Sequence, residues 1–508
     1  MCGVAGIFDA TGRLDRGQVE TRLAAMNAAQ RHRGPDDQTL LVTPHGGLAH
    51  TRLAIIDPAN GRQPMCDESG ATRIVFNGEI YNHRSLRSRL NGHTFRTNTD
   101  SESLVHLYEE LGPGCVTLLD GMFAIAIFDA EGLFLARDPL GIKPLYYSVD
   151  GDGVTYFASE MQALAPYVSD VSEFPAGHWY HSQRGLHRYF DLDALAAEAR
   201  SRPTSSESEA VARLRAVLGA AVEKRLMADV PLGVFLSGGL DSSIVSALAV
   251  KKAGRLHSFA IGTANGDDLP AARCAAEHLG TEHHERVVSE LDVVGALPRV
   301  IERLESYDKA LVRSAVANYL LAEFTAEHVK VALAGEGADE LFAGYEYLRA
   351  LPPGQVDRET LEITGNLHNS NLQRCDRMTM AHGLEARVPF LDVEMLRLAF
   401  SIPTSLKLRP NGDRPGEKWI LRRAFEDILP EEIAWRRKQK FSSGSGAAET
   451  LARHAGEVVS DDDYEHAIRA GKPVDSKEEL LYYLLFTELY SSESAISTVG
   501  RTHSPETN

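Results

Sequence analysis

Short apolar runs separated by turn residues dominate the first 190 or so residues of the chain. Val4–Phe8, Gly47–His50, Arg73–Phe76, Met122–Phe128, Gly132–Ala136 and Val154–Phe157 read as strands. Between them the apolar spacing widens to that of helices at 17–31 and 101–111. Thr99-Asp100, residue types that cap a helix N-terminus, precede the second. Many strands with two helices predict a sandwich of packed sheets with helices on its faces, rather than a parallel sheet.

The pattern changes at Ala-Leu-Ala-Ala-Glu-Ala-Arg-Ser-Arg-Pro-Thr-Ser-Ser-Glu-Ser-Glu. This stretch, 193–209, reads as a solvated linker between one domain at 1–192 and another at 210–490. Beyond it, apolar strands at 232–236, 256–261 and 329–334 alternate with helical stretches. That alternation predicts an α/β parallel sheet covered on both faces, with ligands at the carboxyl ends of its strands. After about 365 the chain is mostly helical, and residues 491–508 are expected to be a disordered tail.

One stretch of the second region carries chemistry. Val234-Phe-Leu-Ser-Gly-Gly-Leu-Asp-Ser-Ser-Ile-Val245 is a strand end, a loop of small residues and a helix start. Such a turn aims backbone N–H groups and a helix dipole at one point, which suits phosphate. A lone Gly-Gly would be an ordinary turn. Ser237, Gly238, Gly239, Asp241, Ser242 and Ser243 within seven residues favour an anion site, with Asp241 placed to hold a divalent metal. It is not a Walker A loop, because no Lys-Ser or Lys-Thr follows the glycines. Nor is Ser237 a nucleophile elbow, since Phe235 stands where that motif needs glycine.

Composition narrows the partners. With 53 basic and 71 acidic residues the net charge is −18, which argues against non-specific binding to nucleic acid or anionic membranes. The five cysteines form no C-x-x-C pair, so reduced thiols in a cytoplasmic chain are expected rather than disulfides or structural zinc. No signal peptide and no apolar run of about 18 residues is visible. Thr281-Glu-His-His-Glu285 contains metal-ligand types, but its spacing is not H-E-x-x-H and it reads as a polar strand edge. Arg84-Ser-Leu-Arg-Ser-Arg89 reads as a solvated helix face.

In the first region Cys2 is a candidate nucleophile. If Met1 is removed, its own α-amine, titrating near pH ~8, sits beside the thiol as a base. Asn77 and Gly78, at a strand end, offer an amide and an N–H to a developing oxyanion. An amide substrate that is also an amino acid needs a cation for its carboxylate, which Arg52 suits, and carboxylates for its ammonium, which Glu79 and Asp100 suit. Taken singly, each of these residues reads more simply as a turn or surface residue.

Together they resemble a known family. Met1-Cys-Gly-Val-Ala-Gly-Ile-Phe8, Arg31-His-Arg-Gly-Pro-Asp36, His50-Thr-Arg-Leu-Ala-Ile-Ile-Asp57 and Asn77-Gly-Glu-Ile-Tyr-Asn-His83 resemble the N-terminal-nucleophile glutaminase domain of glutamine-hydrolysing asparagine synthetases, class-II glutamine amidotransferases. Leu236–Ser243, Gly335-Glu-Gly-Ala-Asp-Glu340, Glu385-Ala-Arg-Val-Pro-Phe-Leu-Asp392 and Trp435-Arg-Arg-Lys-Gln-Lys-Phe441 resemble their synthetase domain. The match runs in order from residue 2 to about 445.

The resemblance implies an αββα glutaminase sandwich followed by an ATP-pyrophosphatase-type parallel-sheet domain. By position, Cys2 would attack glutamine while Asn77 and Gly78 hold the oxyanion. Arg52, the backbone of Leu53, Ala54, Ile55 and Ile56, and Glu79 and Asp100 would bind glutamine. Phe235, Leu236 and Ile261 would line adenine and ribose; the Ser237–Ser243 loop, Ala334 and Gly335 would meet ATP. Asp241 and Asp339 would hold Mg²⁺, and Lys438 would neutralise pyrophosphate. Glu336 would serve the acyl-adenylate step or deprotonate the incoming ammonium. The substrates implied are glutamine, aspartate and ATP. A homodimer is a possibility that only the resemblance raises. Because free ammonia in bulk water is mostly ammonium at neutral pH, an enclosed passage lined by small and apolar side chains is expected between Cys2 and Asp241.

Two departures bear on the acceptor. Ala310-Leu-Val-Arg-Ser-Ala315 stands where well-known members carry Thr-Thr-Ile-Arg-Ala-Ser, and Ala334 stands where a serine is usual. The alternatives are amidation of a different carboxylate by the same machinery, or a glutamine-binding regulator without catalysis. Intact Cys2, Asn77, Asp241 and Glu336 speak against the regulator.

Overall fold

In a computed structural model, which describes residues 2–263, 266–410, 412, 414–438 and 446–502, the strands of the first half pair into two six-stranded antiparallel sheets. They are β1 (Cys2–Phe8), β2 (Asp37–Thr43), β3 (Gly46–Arg52), β4 (Met65–Cys66), β5 (Arg73–Ile80), β6 (Gly121–Phe128), β7 (Leu133–Arg137), β8 (Tyr146–Val149), β9 (Thr155–Ala158), β10 (Ser172–Glu173), β11 (His178–His181) and β12 (Gly185–Arg188). One sheet runs β10-β8-β9-β1-β3-β2, the other β12-β11-β7-β6-β5-β4.

Period-two alternation decides which residue faces what. Val4, Phe8 and Leu48 meet Val75, Ala124, Ala126, Leu133 and Leu135 between the sheets. The opposite face of β1 sends Ala5 and Ile7 against Val19, Leu23 and Met26 of helix Arg16–Ala29. Ile74, Phe76, Phe123, Ile125 and Ile127 pack outward against Leu104, Val105 and Tyr108 of helix Asp100–Leu111. Four layers result, αββα, as expected. Strands covered on both faces explain why β6 reads Met-Phe-Ala-Ile-Ala-Ile-Phe with no polar position. Each fully buried large side chain there contributes about 1.5–3 kcal/mol.

The second half carries a five-stranded sheet with all neighbours parallel, in the order β15-β14-β13-β16-β17. Its strands are β13 (Leu232–Phe235), β14 (His257–Gly262), β15 (Glu282–Val287), β16 (Val331–Leu333) and β17 (Glu385–Arg387). The chain grows outward from β13 through β15, then returns to the other side of β13. The carboxyl ends of β13 and β16 therefore flank a topological switch point, where such sheets open a crevice. Of the Thr281–Glu285 run, Glu282–Glu285 lie on the edge strand β15, in line with the polar strand-edge reading.

Two expectations are corrected. The supposed linker contains helix Leu192–Ser201, capped by the Asp191 carboxylate on Ala194 N at 3.1 Å. Leu195, Ala196 and Ala199 form a buried stripe, and the helix packs on helix Val393–Ser401. Its small apolar residues at helical spacing were masked by the Ser/Glu/Arg-rich composition around them. Helix Glu207–Lys224 begins soon after, capped by Ser206. Nor is 491–502 disordered: Ser492 caps helix Glu493–Ser497, Ala495 is buried, and Thr502 Oγ1 donates to Asp308 Oδ1 at 2.7 Å. Tertiary partners rather than local composition order this segment. Residues 503–508 lie outside the described ones. Among the described residues no helix is long and apolar enough to cross a membrane.

Candidate active site

Cys2 opens β1, with Arg52 opposite it in the β1–β3 ladder. The Cys2 backbone N donates to Asn77 Oδ1 at 2.9 Å. That bond fixes the Asn77 amide, whose Nδ2 is buried and has no partner among the described residues. An unsatisfied buried donor costs about 1–3 kcal/mol, so its presence here calls for an acceptor. Gly78 follows on β5 facing Phe123, and a Cβ there would fall 2.0 Å from the Met122 carbonyl oxygen, so only glycine lets β5 and β6 approach. Burial pushes the Cys2 thiol up, and the Leu53 backbone N–H and the Arg52 guanidinium work against it.

The Arg52 guanidinium donates to Pro58 O (2.8 Å) and Asp57 O (3.0 Å) and, among the described residues, makes no ion pair. The chain from Leu53 to Ile56 leaves β3 beside it, with Ala54 N bound to Asp36 Oδ2 at 2.8 Å. Asp100, the first residue of its helix, accepts from Ile80 N (2.9 Å) through Oδ2. Burial raises its carboxyl against the pull of that N–H. Glu79 is buried, with Oε2 unpartnered among the described residues. Its other oxygen lies 3.4 Å from Arg387 Nη2, a residue of β17 in the second half. Arg387 Nε also reaches Glu385 Oε1 at 2.5 Å. Burial and then the Glu385 carboxylate push the Glu79 carboxyl well above its usual range, with Arg387 opposing.

The Ser237–Ser243 loop leaves β13 at the switch point. Gly238 has φ 68°, and a Cβ would sit 2.3 Å from the Ala271 carbonyl carbon. Gly239 is the N-cap of helix Leu240–Ala253 and has no side-chain cap, so its first N–H groups face the crevice. Ser237 Oγ and Ser242 Oγ lie 3.2 Å apart, and Ser243 Oγ is buried without a partner among the described residues. The Ala334–Asp339 loop leaves β16 alongside: a Cβ on Gly335 would touch Asp241 Cβ at 3.0 Å. Leu236 and Ile261 are buried at the ends of β13 and β14, and Phe235 is half-buried.

One ammonium joins the two loops. Lys418 Nζ lies 2.5 Å from Asp241 Oδ2 and 2.6 Å from Asp339 Oδ1, while Lys438 pairs with the other oxygen of Asp339. Burial would raise the Asp339 carboxyl, but Lys418 and Lys438 outweigh it and hold it well below the usual range. Asp241 Oδ1 is buried and has no hydrogen-bond partner among the described residues. Two carboxylates sharing one cation, with hard oxygen atoms to spare, fit Mg²⁺ in donor type and charge. Glu336 Oε1 accepts from Arg374 Nη2 at 2.6 Å, and Arg374 Nη1 donates to Asn318 at 3.2 Å.

The expected site residues thus gather in two places: Cys2, Arg52–Ile56, Asn77–Glu79 and Asp100 in one, the 237–243 and 334–339 loops with Lys438 in the other. A single apolar cluster spans both, from Leu53 and Ile55 through Met122 and Val388 to Leu236 and Leu240. Arg313 forms a bidentate pair with Glu478 (2.8 and 2.6 Å), and Leu311 is buried in the core of its helix. The sequence reading missed Lys418, Arg374, Arg387 and Glu385. Glu385 and Arg387 lie in the Glu385–Asp392 motif that carries the resemblance, without a role read for them, and Lys418 is signalled by charge placed among apolar residues in Glu417-Lys-Trp-Ile-Leu421.

Residues 1–200 match the family model for the glutamine amidotransferase domain, and residues 213–359 and 353–506 match that for asparagine synthase. The chain is similar to asparagine synthetase [glutamine-hydrolyzing] 2 of Arabidopsis thaliana, 39% identical over 524 residues that cover 98% of this chain and 89% of that protein. Asparagine synthetase B [glutamine-hydrolyzing] of Escherichia coli (strain K12) is 38% identical, covering 98% and 93%. A probable asparagine synthetase [glutamine-hydrolyzing] of Dictyostelium discoideum is 35% identical, covering 99% and 96%.

Proposed function

The chain belongs to the glutamine-hydrolysing asparagine synthetase family, and on that premise we propose that it converts aspartate, ATP, glutamine and water into asparagine, AMP, pyrophosphate and glutamate. The observation that carries the glutaminase half is the Cys2–Asn77 pair. With Met1 removed, the Cys2 nitrogen is a free α-amine oriented by Asn77 Oδ1, and the unpartnered Asn77 Nδ2 is a ready donor for an oxyanion. The Cys2 sulfur bonds to the amide carbon, the C–N bond breaks, and the nitrogen leaves as ammonia with a proton delivered by the α-amine. Water then releases glutamate from the thioester. Arg52 holds the substrate carboxylate; Glu79 and Asp100 hold its ammonium.

In the second half the 237–243 loop grips the phosphates, and Asp241 and Asp339 would hold Mg²⁺, whose charge would offset that of the phosphates. Phe235, Leu236 and Ile261 bound the nucleoside, with Ala334 and Gly335 at the next strand end. The aspartate side-chain oxygen attacks the α-phosphorus and pyrophosphate leaves toward Lys418 and Lys438, giving β-aspartyl-AMP. Ammonia displaces AMP, and Glu336, held by Arg374, takes the surplus proton. The apolar cluster from Leu53 to Leu236 lies between the two sites, and a dry passage for ammonia would run along it.

Pyrophosphate release followed over a panel of carboxylic acids tests this reading. Aspartate should stimulate it, with asparagine and AMP formed in equal amounts. Glutamine hydrolysis with no response to aspartate would instead favour another acceptor, in keeping with Ala310, Leu311 and Ala334. A homodimer belongs to the same proposal, and the mass of the protein in solution tests it.

A further inference from the structure

Away from both reaction centres, Glu68, His93, His106 and Glu109 turn four ligand atoms toward one another, all within 4.8 Å. Glu68 follows β4, and His93 lies before helix Asp100–Leu111. His106 and Glu109 sit three apart on that helix, so they share a face. His106 Nδ1 is 2.8 Å from Glu109 Oε2 and 3.4 Å from Glu68 Oε2; His93 Nδ1 is 3.3 Å from Glu68 Oε1 and 3.7 Å from Glu109 Oε2. Four donors around a tetrahedral Zn²⁺, each at about 2.0–2.2 Å, stand about 3.3–3.6 Å from one another.

The charges need a cation. Glu110 Oε1 adds a further carboxylate 3.5 Å from His93 Nε2, and Asp67 lies against Glu109 with its own Oδ1 buried and unpartnered. Among the described residues none of Asp67, Glu68, Glu109 and Glu110 pairs with lysine or arginine. The donors are also held in place. The His93 and His106 rings stack at 4.4 Å, the His106 side chain is only 2% exposed, and Thr94 N donates to Glu68 Oε1 at 2.8 Å.

We propose that Glu68, His93, His106 and Glu109 bind one divalent transition-metal ion, which ties the segment around His93 to helix Asp100–Leu111. Two imidazoles and two carboxylates, their ligand atoms all within 4.8 Å of one another, select Zn²⁺ over Mg²⁺, which demands six oxygens. The ion stabilises the helix whose first residue, Asp100, faces the amide pocket; its place is structural, because no part of the proposed reaction runs through it.

The full chain, stripped with a chelator and dialysed against Zn²⁺, should retain one ion per chain. Co²⁺ in its place should give the strong visible absorption of a tetrahedral centre. His93→Ala, Glu68→Gln and Glu109→Gln, all on partly exposed side chains, should lose both signals, whereas Cys2→Ala and Asp241→Asn should keep them. No retained ion in the unaltered chain, a weak octahedral Co²⁺ spectrum, or full retention in the three variants would overturn the proposal.

Discussion

Arg387 Nη2 lies 3.4 Å from Glu79 Oε1, although the two side chains belong to different halves of the chain. Arg387 is fully buried, and its Nη1 also donates to Arg225 O (2.7 Å) and Met227 O (2.6 Å). The edge strand of the parallel sheet therefore sets the charge on a carboxylate of the amide pocket. Burial and the neighbouring Glu385 carboxylate push the Glu79 carboxyl up, so in the proposed glutamine site the arrival of a substrate ammonium would favour its charged form.

Glu79→Gln should accordingly weaken glutamine binding. Losing one charge-assisted hydrogen bond costs about 1.5–3 kcal/mol, or roughly a tenfold or greater rise in KM for glutamine. The rate with ammonia should stay unchanged. Steady-state assays with each nitrogen donor check this, and equal loss with both would assign Glu79 a structural part instead.

Cys2→Ala should abolish glutamine use and leave synthesis from added ammonia intact. Glutamate release and asparagine formation, measured side by side, separate these outcomes. Loss of both activities in a folded variant contradicts two separate sites.

Lys418→Met removes the ammonium shared by Asp241 and Asp339. Two carboxylates left facing each other repel, and the departing pyrophosphate loses a counter-charge. The expected loss of pyrophosphate release is about 100-fold or more, the scale of removing one electrostatic contact at a reaction centre. Glutaminase activity should change less than about twofold, since additivity holds for distant sites; a parallel fall would contradict the assignment.

Acid should loosen the seam between the halves. Asp376 accepts from Arg33 Nη2 at 2.9 Å and lies 3.2 Å from Lys143 Nζ. Burial would raise its carboxyl, but Arg33, Lys143 and Arg377 outweigh that and depress it. Its stabilisation is thus present above the unfolded value of about 3.9 and is lost as pH falls through the lower folded value. Melting temperature should drop below about pH 4. Asp376→Asn should cost about 3–5 kcal/mol at neutral pH and flatten that acid slope. An unchanged slope would show that other carboxylates carry the effect.

Much of the fold, and the residues gathered in both candidate sites, could be read without coordinates. Cys2, Asn77-Gly78-Glu79 and Ser237–Ser243 each sit at a strand end, and residues adjacent in sequence stay adjacent in space. Where the reading failed, composition misled it. Residues 193–201 look like solvent-exposed linker, but Leu195, Ala196 and Ala199 are buried because helix Val393–Ser401 offers them a surface. Thr502 is ordered by Asp308, almost two hundred residues away.

Hydrophobic periodicity along the chain specifies the two sheet types, and contiguous motifs, whose local backbone is their geometry, specify the reaction class. How the buried charges pair depends on the folded arrangement of the chain. Lys418 between Asp241 and Asp339, Arg387 between Glu79 and Glu385, and Arg33 between Glu160 and Asp376 each join distant segments. Periodicity records which side chains leave water, whereas the partner of a buried charge depends on where the chain returns. That placement is a property of packing.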